Sequence, residues 1–296
     1  MTDLDTIIRP ILPELQRFEQ GLTGLLSSEV APLDAILRYV AEVKGKRLRP
    51  SLVLLSARLF GNPSEATFRT AWFVELIHTA TLVHDDVVDG TAARRGRAAV
   101  HVRWNTPAAV LAGDYLLGKA IQLLANADDL PILAEMLDTT AAMSEGELMQ
   151  LKKRIAEYEK QDHDADDTTL DPSGDGALYT LVREGLSKED YLEVITRKTA
   201  LLFRSCCVGG ALSVGAPSEA VALLADFGLH LGRVFQLRDD VLDDDVPTSA
   251  DVAQQLIDEE LSQTLEALRA LGNKVGTKET LKALESLALF CAERSH

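Results

Sequence analysis

Aromatic residues make up only 5% of this 296-residue chain, and cysteine occurs three times. Cys206 and Cys207 are adjacent and Cys291 is remote, a pattern that excludes a disulfide framework and fits no zinc-ligand spacing. Basic charge is scarce as well. Thirty Lys and Arg against 46 Asp and Glu leave a formal charge of −16, which argues against nucleic acid as a general partner. The most apolar stretch, residues 199–214, is broken by Arg204 and is too short to span a bilayer, so no integral membrane protein is expected. The first ten residues carry Asp3 and Asp5 and lack a basic-then-apolar pattern, so no signal peptide is expected either. A soluble protein of the reducing cytoplasm is the resulting expectation. Strand-type alternation of β-branched residues is rare, while Leu and Ala dominate the 46% apolar content, which predicts an all-α fold.

Helical patterns are expected over residues 4–26 and 31–43, from Pro50 to the Gly61-Asn62-Pro63 stop, and from Ser64 onward. Others open at Pro107, Pro131, Ser187 and about Ser218, and a last pair covers 252–271 and 278–294. Residues 156–187 gather Asp162, Asp164, Asp166, Asp167, Asp171 and Asp175 among Gly, Pro, Ser and Thr, and read as a mobile acidic surface insertion. No linker composition divides the chain, so residues 1–296 are taken as one helical domain.

Two aspartate motifs of identical spacing carry the chemistry: Asp85-Asp86-Val87-Val88-Asp89 and Asp239-Asp240-Val241-Leu242-Asp243. Residues four apart share a helix face, so Asp85 projects with Asp89 and Asp239 with Asp243. Both motifs follow long apolar runs, which disfavours the simpler reading of solvated faces or caps. Like charges at the end of apolar helices repel unless cations sit between them. Oxygen-only ligands suit Mg²⁺, which typically binds one or two carboxylates together with substrate phosphates. Basic groups fall nearby: Lys46, Arg47 and Arg49 at a helix start, Arg94 and Arg95 just after the first motif, and Lys198 before the second. Arginine forks match phosphate oxygens, and a helix start adds free N–H groups. His84 beside Asp85 would suit a His-Asp phosphohydrolase, but no histidine precedes His78 to complete such a site.

In this order the segments Gly45-Lys46-Arg47-Leu48-Arg49-Pro50, Glu75 to Asp89, Arg94-Arg95-Gly96, Gly146-Glu147, Lys198-Thr199-Ala200 and Phe235 to Asp243 resemble the trans-isoprenyl (polyprenyl) diphosphate synthase family, long-chain type. The resemblance covers roughly residues 10–155 and 187–243 and the C-terminal helix. It implies an isoprenoid synthase helical bundle around a central cavity, acting as a homodimer on isopentenyl diphosphate and an allylic diphosphate. It further implies three Mg²⁺ ions, two on Asp85 and Asp89 with support from Asp86, and a third on Asp239 with help from Asp240 and Asp243. Arg94 and Lys198 would grip the allylic diphosphate, Lys46, Arg49, His78 and Arg95 the isopentenyl one, and Thr199 and Gln236 would face the carbocation. Ala80 and Thr81, one turn before Asp85, are small where bulky family members have a floor, which implies a long product. Two departures stand out. The Gly- and Lys-containing loop expected after residue 243 is missing, and the acidic insertion has no family counterpart. A weakly active or regulatory subunit of a heteromeric synthase is therefore the alternative reading.

Overall fold

The computed structural model describes residues 3–43, 45–127, 129–161, 187–243, 246, 249–272, 275 and 277–294. The helices run α1 Leu4–Ile7, α2 Leu12–Leu25, α3 Ala31–Ala41, α4 Leu48–Arg58 and α5 Glu65–Val88, with a 3₁₀ turn between α1 and α2. A two-stranded hairpin, β1 Ala93–Arg94 and β2 Arg97–Ala98, then leads to α6 Val100–Arg103, α7 Thr106–Ala125 and α8 Leu130–Gln161. After α9 Lys188–Ile195 comes a π-turn, Thr196–Ala200, continuous with α10 Leu201–Leu212. The chain closes with α11 Ser218–Leu242, α12 Ala250–Gly272 and α13 Lys278–Glu293. The all-α expectation holds; the only sheet among the described residues is the short hairpin that the basic loop forms. Most of the acidic insertion, residues 162–186, lies outside the described residues, while residues 156–161 extend α8.

The helix starts obey local chemistry. Ser64 caps α5 in a reciprocal capping box with Thr67, Asn105 caps α7 ahead of Pro107, and Ser187 caps α9. These caps satisfy N–H groups that would otherwise be orphaned at each first turn. Helices α4, α5, α10 and α11 form the interior, where Phe73, Phe203, Phe227, Leu52, Leu76 and Leu231 are buried. α11 lies close on the π-turn because Gly232 has no side chain; a Cβ there would come within 2.5 Å of the Ala200 Cα.

By length and composition α7 and α11 are apolar enough to cross a membrane, in contrast to the stretch 199–214 that the sequence singles out. α11 meets that test as a core helix, with Leu224, Phe227, Leu231 and Val234 buried against the bundle.

Candidate active site

Both aspartate motifs sit on the last turns of the two long central helices, α5 and α11, and neither last turn holds a basic residue. A helix C-terminus carries partial negative charge, so carboxylates there are electrostatically unfavourable without a cation. Burial, with the carboxylates of Glu147 and Asp89 nearby, pushes the Asp85 pKa up to about 7. Asp85 and Asp239 line one cavity of about 500 Å³ with Thr81, Lys198, Thr199 and Gln236. Asp89 follows α5 as its cap, and Asp243 is exposed as the cap of α11.

The middle carboxylates do something else. Asp86 is only 5% exposed and accepts Nε–H of Arg94 at 2.8 Å and its Nη2 at 2.7 Å. It lines a neighbouring cavity with Tyr39, Val83 and Val100, one that does not include Asp85. Asp240 is only 4% exposed. Its Oδ2 accepts the Tyr191 hydroxyl at 2.5 Å and its Oδ1 accepts Gln236 Nε2 at 2.9 Å. Asp86 and Asp240, grouped with the metal ligands by the family resemblance, thus have protein partners here and do not line the cavity with Asp85 and Asp239. On a helix, consecutive residues are turned about 100° from each other, so neither faces the same way as Asp85 or Asp239. Each instead fixes a residue of the site, Arg94 in one case and Gln236 in the other.

Asp240 has a consequence for the cavity wall. With Gln236 Nε2 committed to the carboxylate, Gln236 Oε1 is left to accept the Thr199 hydroxyl at 2.7 Å. The amide is thus locked in one orientation, and the Thr199 oxygen lone pairs stay available on the cavity side. Lys198 pairs with Glu147 at 2.6 Å and donates to Gln150 Oε1 at 3.1 Å. Thr81 lines the cavity as expected, but Ala80 does not: it is 3% exposed and packed into the hydrophobic core.

An adjoining basic pocket brings together Lys46, Arg49, His78 and Arg95, the set the family resemblance implies, with Arg47 and Arg294. Arg47 and Arg95 adopt left-handed backbone, φ 53° and 49°, the only non-glycine residues among those described to do so. Such conformations cost energy and persist where the surroundings hold them; Arg47 is clamped by Glu19 and by the buried Glu75. Arg49 stands 5.1 Å from the Phe203 ring, and its Nε has no partner though buried. Burial lowers the Arg49 pKa. Burial, then the positive charge of Arg49, drives the His78 pKa well below its usual value. An orphaned guanidinium N–H in a positive pocket is a donor set for an anion with several oxygens.

Tyr191 and Arg294 escape a reading by sequence and reach the site only through tertiary packing. Glu147 and Phe235 carry a signal through the family resemblance, whereas Arg294 gives none. Its guanidinium pairs with Asp239, donates to the Phe235 carbonyl at 2.9 Å and lies 4.0 Å over the Phe235 ring. Burial raises the pKa of Asp239 while Arg294 opposes that rise.

Oxygen-only donors such as Asp85 and Asp89 fit a hard divalent ion. Among the described residues no three carboxylate, histidine or thiol groups form a ready-made metal cage, so a bound ion would need further oxygens from its ligand.

A helical bundle whose long helices end in aspartates over one cavity, beside a basic anion pocket, has the architecture of an isoprenoid synthase. The polyprenyl synthetase family matches residues 30–255. Octaprenyl diphosphate synthase of Haemophilus influenzae is 34% identical over 250 residues, covering 84% of this chain and 68% of that one. All-trans-nonaprenyl-diphosphate synthase (geranyl-diphosphate specific) of Rhodobacter capsulatus is 32% identical over 279 residues, 93% of this chain and 77% of that one. Among solved structures, polyprenyl synthase from Caulobacter crescentus, complexed with calcium and isoprenyl diphosphate, superposes with a TM-score of 0.78 at 28% identity, covering 99% and 98% of the two chains. The chain belongs to the polyprenyl synthetase family and is a prenyltransferase.

Proposed function

We propose that this prenyltransferase condenses isopentenyl diphosphate with an allylic diphosphate, using Mg²⁺, to make a long all-trans polyprenyl diphosphate. One observation carries the reading: the acidic cavity and the basic pocket share Arg49, His78, Arg95, Phe235 and Asp239. Two adjoining compartments with a common wall support a condensation, which requires two diphosphate substrates side by side. Asp85 and Asp89, joined by Asp239 once Arg294 releases it, are the residues to hold divalent ions. When bound, such ions supply positive charge to a departing diphosphate. Lys198 adds a fixed cation on the same side. Thr199 and Gln236 direct oxygen dipoles at a developing allylic cation, which preorganisation makes effective in a dry cavity. Lys46, Arg49 and Arg95 hold the second diphosphate, and neutral His78 completes that pocket. Thr81 and the long-chain names of the relatives support a long product. The exposed Val110 and Leu111 on α7 support pairing of two copies through that helix, and the three free, buried cysteines suit a cytoplasmic protein.

The contact of Arg294 with Asp239 is the observation that favours the alternative, a weakly active or regulatory subunit. Incubating the purified chain with isopentenyl diphosphate, Mg²⁺ and geranyl, farnesyl or geranylgeranyl diphosphate decides between them. Long products are expected. Farnesyl diphosphate as the end product would overturn the chain length, and no turnover with any primer would overturn the catalytic reading.

A further inference from the structure

Lys198 and Thr199 are adjacent in sequence, yet both line the acidic cavity. Neighbours on an α-helix point about 100° apart, so something must widen the turn that carries them. It is a π-turn: the Leu201 N–H reaches back five residues to the Thr196 carbonyl. Turns of this kind are rare and need support from their surroundings.

Two elements hold this one. On the α8 side, Gly146 lets the helix close in; a Cβ there would stand 2.9 Å from the Arg197 Cβ and 3.0 Å from the Lys198 nitrogen. On the opposite side Arg233 of α11 donates Nε–H to Thr196 Oγ1 at 2.9 Å, while that hydroxyl donates to the Leu192 carbonyl at 2.6 Å. Arg233 is held in turn by Glu260 of α12, which accepts its Nη1 at 3.3 Å and also meets His230 Nδ1 at 2.6 Å. Glu260 and Arg233 are largely shielded, with side chains 12% and 23% exposed. Neither lines the cavity. The pair therefore reaches the chemistry only through the backbone it braces.

We propose that the Glu260–Arg233 pair is a positioning device that holds the π-turn in the shape presenting Lys198 and Thr199 together. The inference rests on the prenyltransferase reading above, and it gives a role to α12, which here follows the second aspartate motif almost at once. Loss of the clamp would let the turn relax and rotate one of the two residues off the cavity. The cations proposed for the isopentenyl side, Lys46, Arg49 and Arg95, come from the start of α4 and from the hairpin and not from the π-turn, so that side should change far less.

The test is steady-state kinetics of Arg233→Met, Arg233→Lys and Glu260→Gln with both substrates varied. Arg233→Met is expected to raise the allylic KM and lower kcat by about tenfold each, as misplacement of a positioned group does, with the isopentenyl KM within about twofold of wild type. Arg233→Lys should recover much of the loss and Glu260→Gln should fall between. Hydrogen exchange at amides 197–201 should quicken in Arg233→Met. An unchanged allylic KM and kcat in folded Arg233→Met, or an equal rise in both KM values without rescue by Lys, would overturn the proposal. Should Arg233→Met fail to fold, Thr196→Val removes the same acceptor and must give the same split. If wild type turns over no primer, the functional reading falls, while unaltered exchange at 197–201 would sink the clamp independently.

Discussion

Arg49 stands 3.1 Å from His78 Nε2, and because a guanidinium can only donate, that nitrogen must be the acceptor. His78 is therefore neutral, with its proton on Nδ1. Its folded pKa lies well below 6.5, the ordinary value. Below that value the unfolded chain binds a proton that the folded one refuses, so folding stability falls as pH drops through it. Thermal melts should show a lower Tm at acid pH than at neutral pH, with a smaller difference in His78→Gln. A histidine NMR signal showing His78 protonated at pH 6 would refute this.

Asp85→Asn and Asp86→Asn are expected to fail in different ways. The first removes a cavity carboxylate and should abolish Mg²⁺-dependent binding of an allylic diphosphate analogue in calorimetry. The second leaves that carboxylate in place but frees Arg94; it should keep the ion requirement, weaken allylic binding and destabilise by about 1–3 kcal/mol, the cost of disturbing a buried charged hydrogen bond. Matching metal titrations for the two variants would contradict the assignment.

Tyr191→Phe strips a hydrogen-bond donor from a carboxylate that is 4% exposed. Chemical denaturation should report a loss of about 1–3 kcal/mol. Since the carboxylate that orients Gln236 is then held less firmly, kcat should fall while the isopentenyl KM stays put.

Gly146→Ala places a methyl against the Lys198 backbone nitrogen, with 3.0 Å available. Overpacking of this kind costs about 1–3 kcal/mol. The melt should shift downward and the allylic KM should rise; full stability with an unchanged KM would show that α8 does not press on the turn.

Thr81→Phe should shorten the product, because Thr81 faces the cavity, whereas Ala80→Phe should mainly destabilise, because Ala80 is packed into the core. Chromatography of the products beside a melting curve separates the two effects.

The sequence makes plain whatever depends on neighbours along the chain. Ser64, Asn105 and Ser187 mark helix starts through their own side chains, and the four-residue spacing puts Asp85 and Asp89 on one face. The same geometry turns Asp86 and Asp240 away, and only the family resemblance groups them with the metal ligands. What stays hidden depends on distant partners. Tyr191 meets Asp240 from 49 residues away. The π-turn has no local signature, since its supports come from α8 and α11. Arg294 reads in sequence as an ordinary charged residue near a chain end.

The wall common to the two compartments makes them thermodynamically dependent. Arg49, His78 and Arg95 belong to both, so an anion in one changes the field met by an anion in the other. By linkage, whatever factor the first ligand applies to the affinity of the second, the second returns to the first. Arg294 gives that coupling a physical carrier, because it pairs with Asp239 of the acidic cavity while lining the basic pocket. A ligand that drew Arg294 away from Asp239 would leave that carboxylate open to a cation. Ligands of the two compartments should therefore alter each other's affinity, with Arg294 as the link between them.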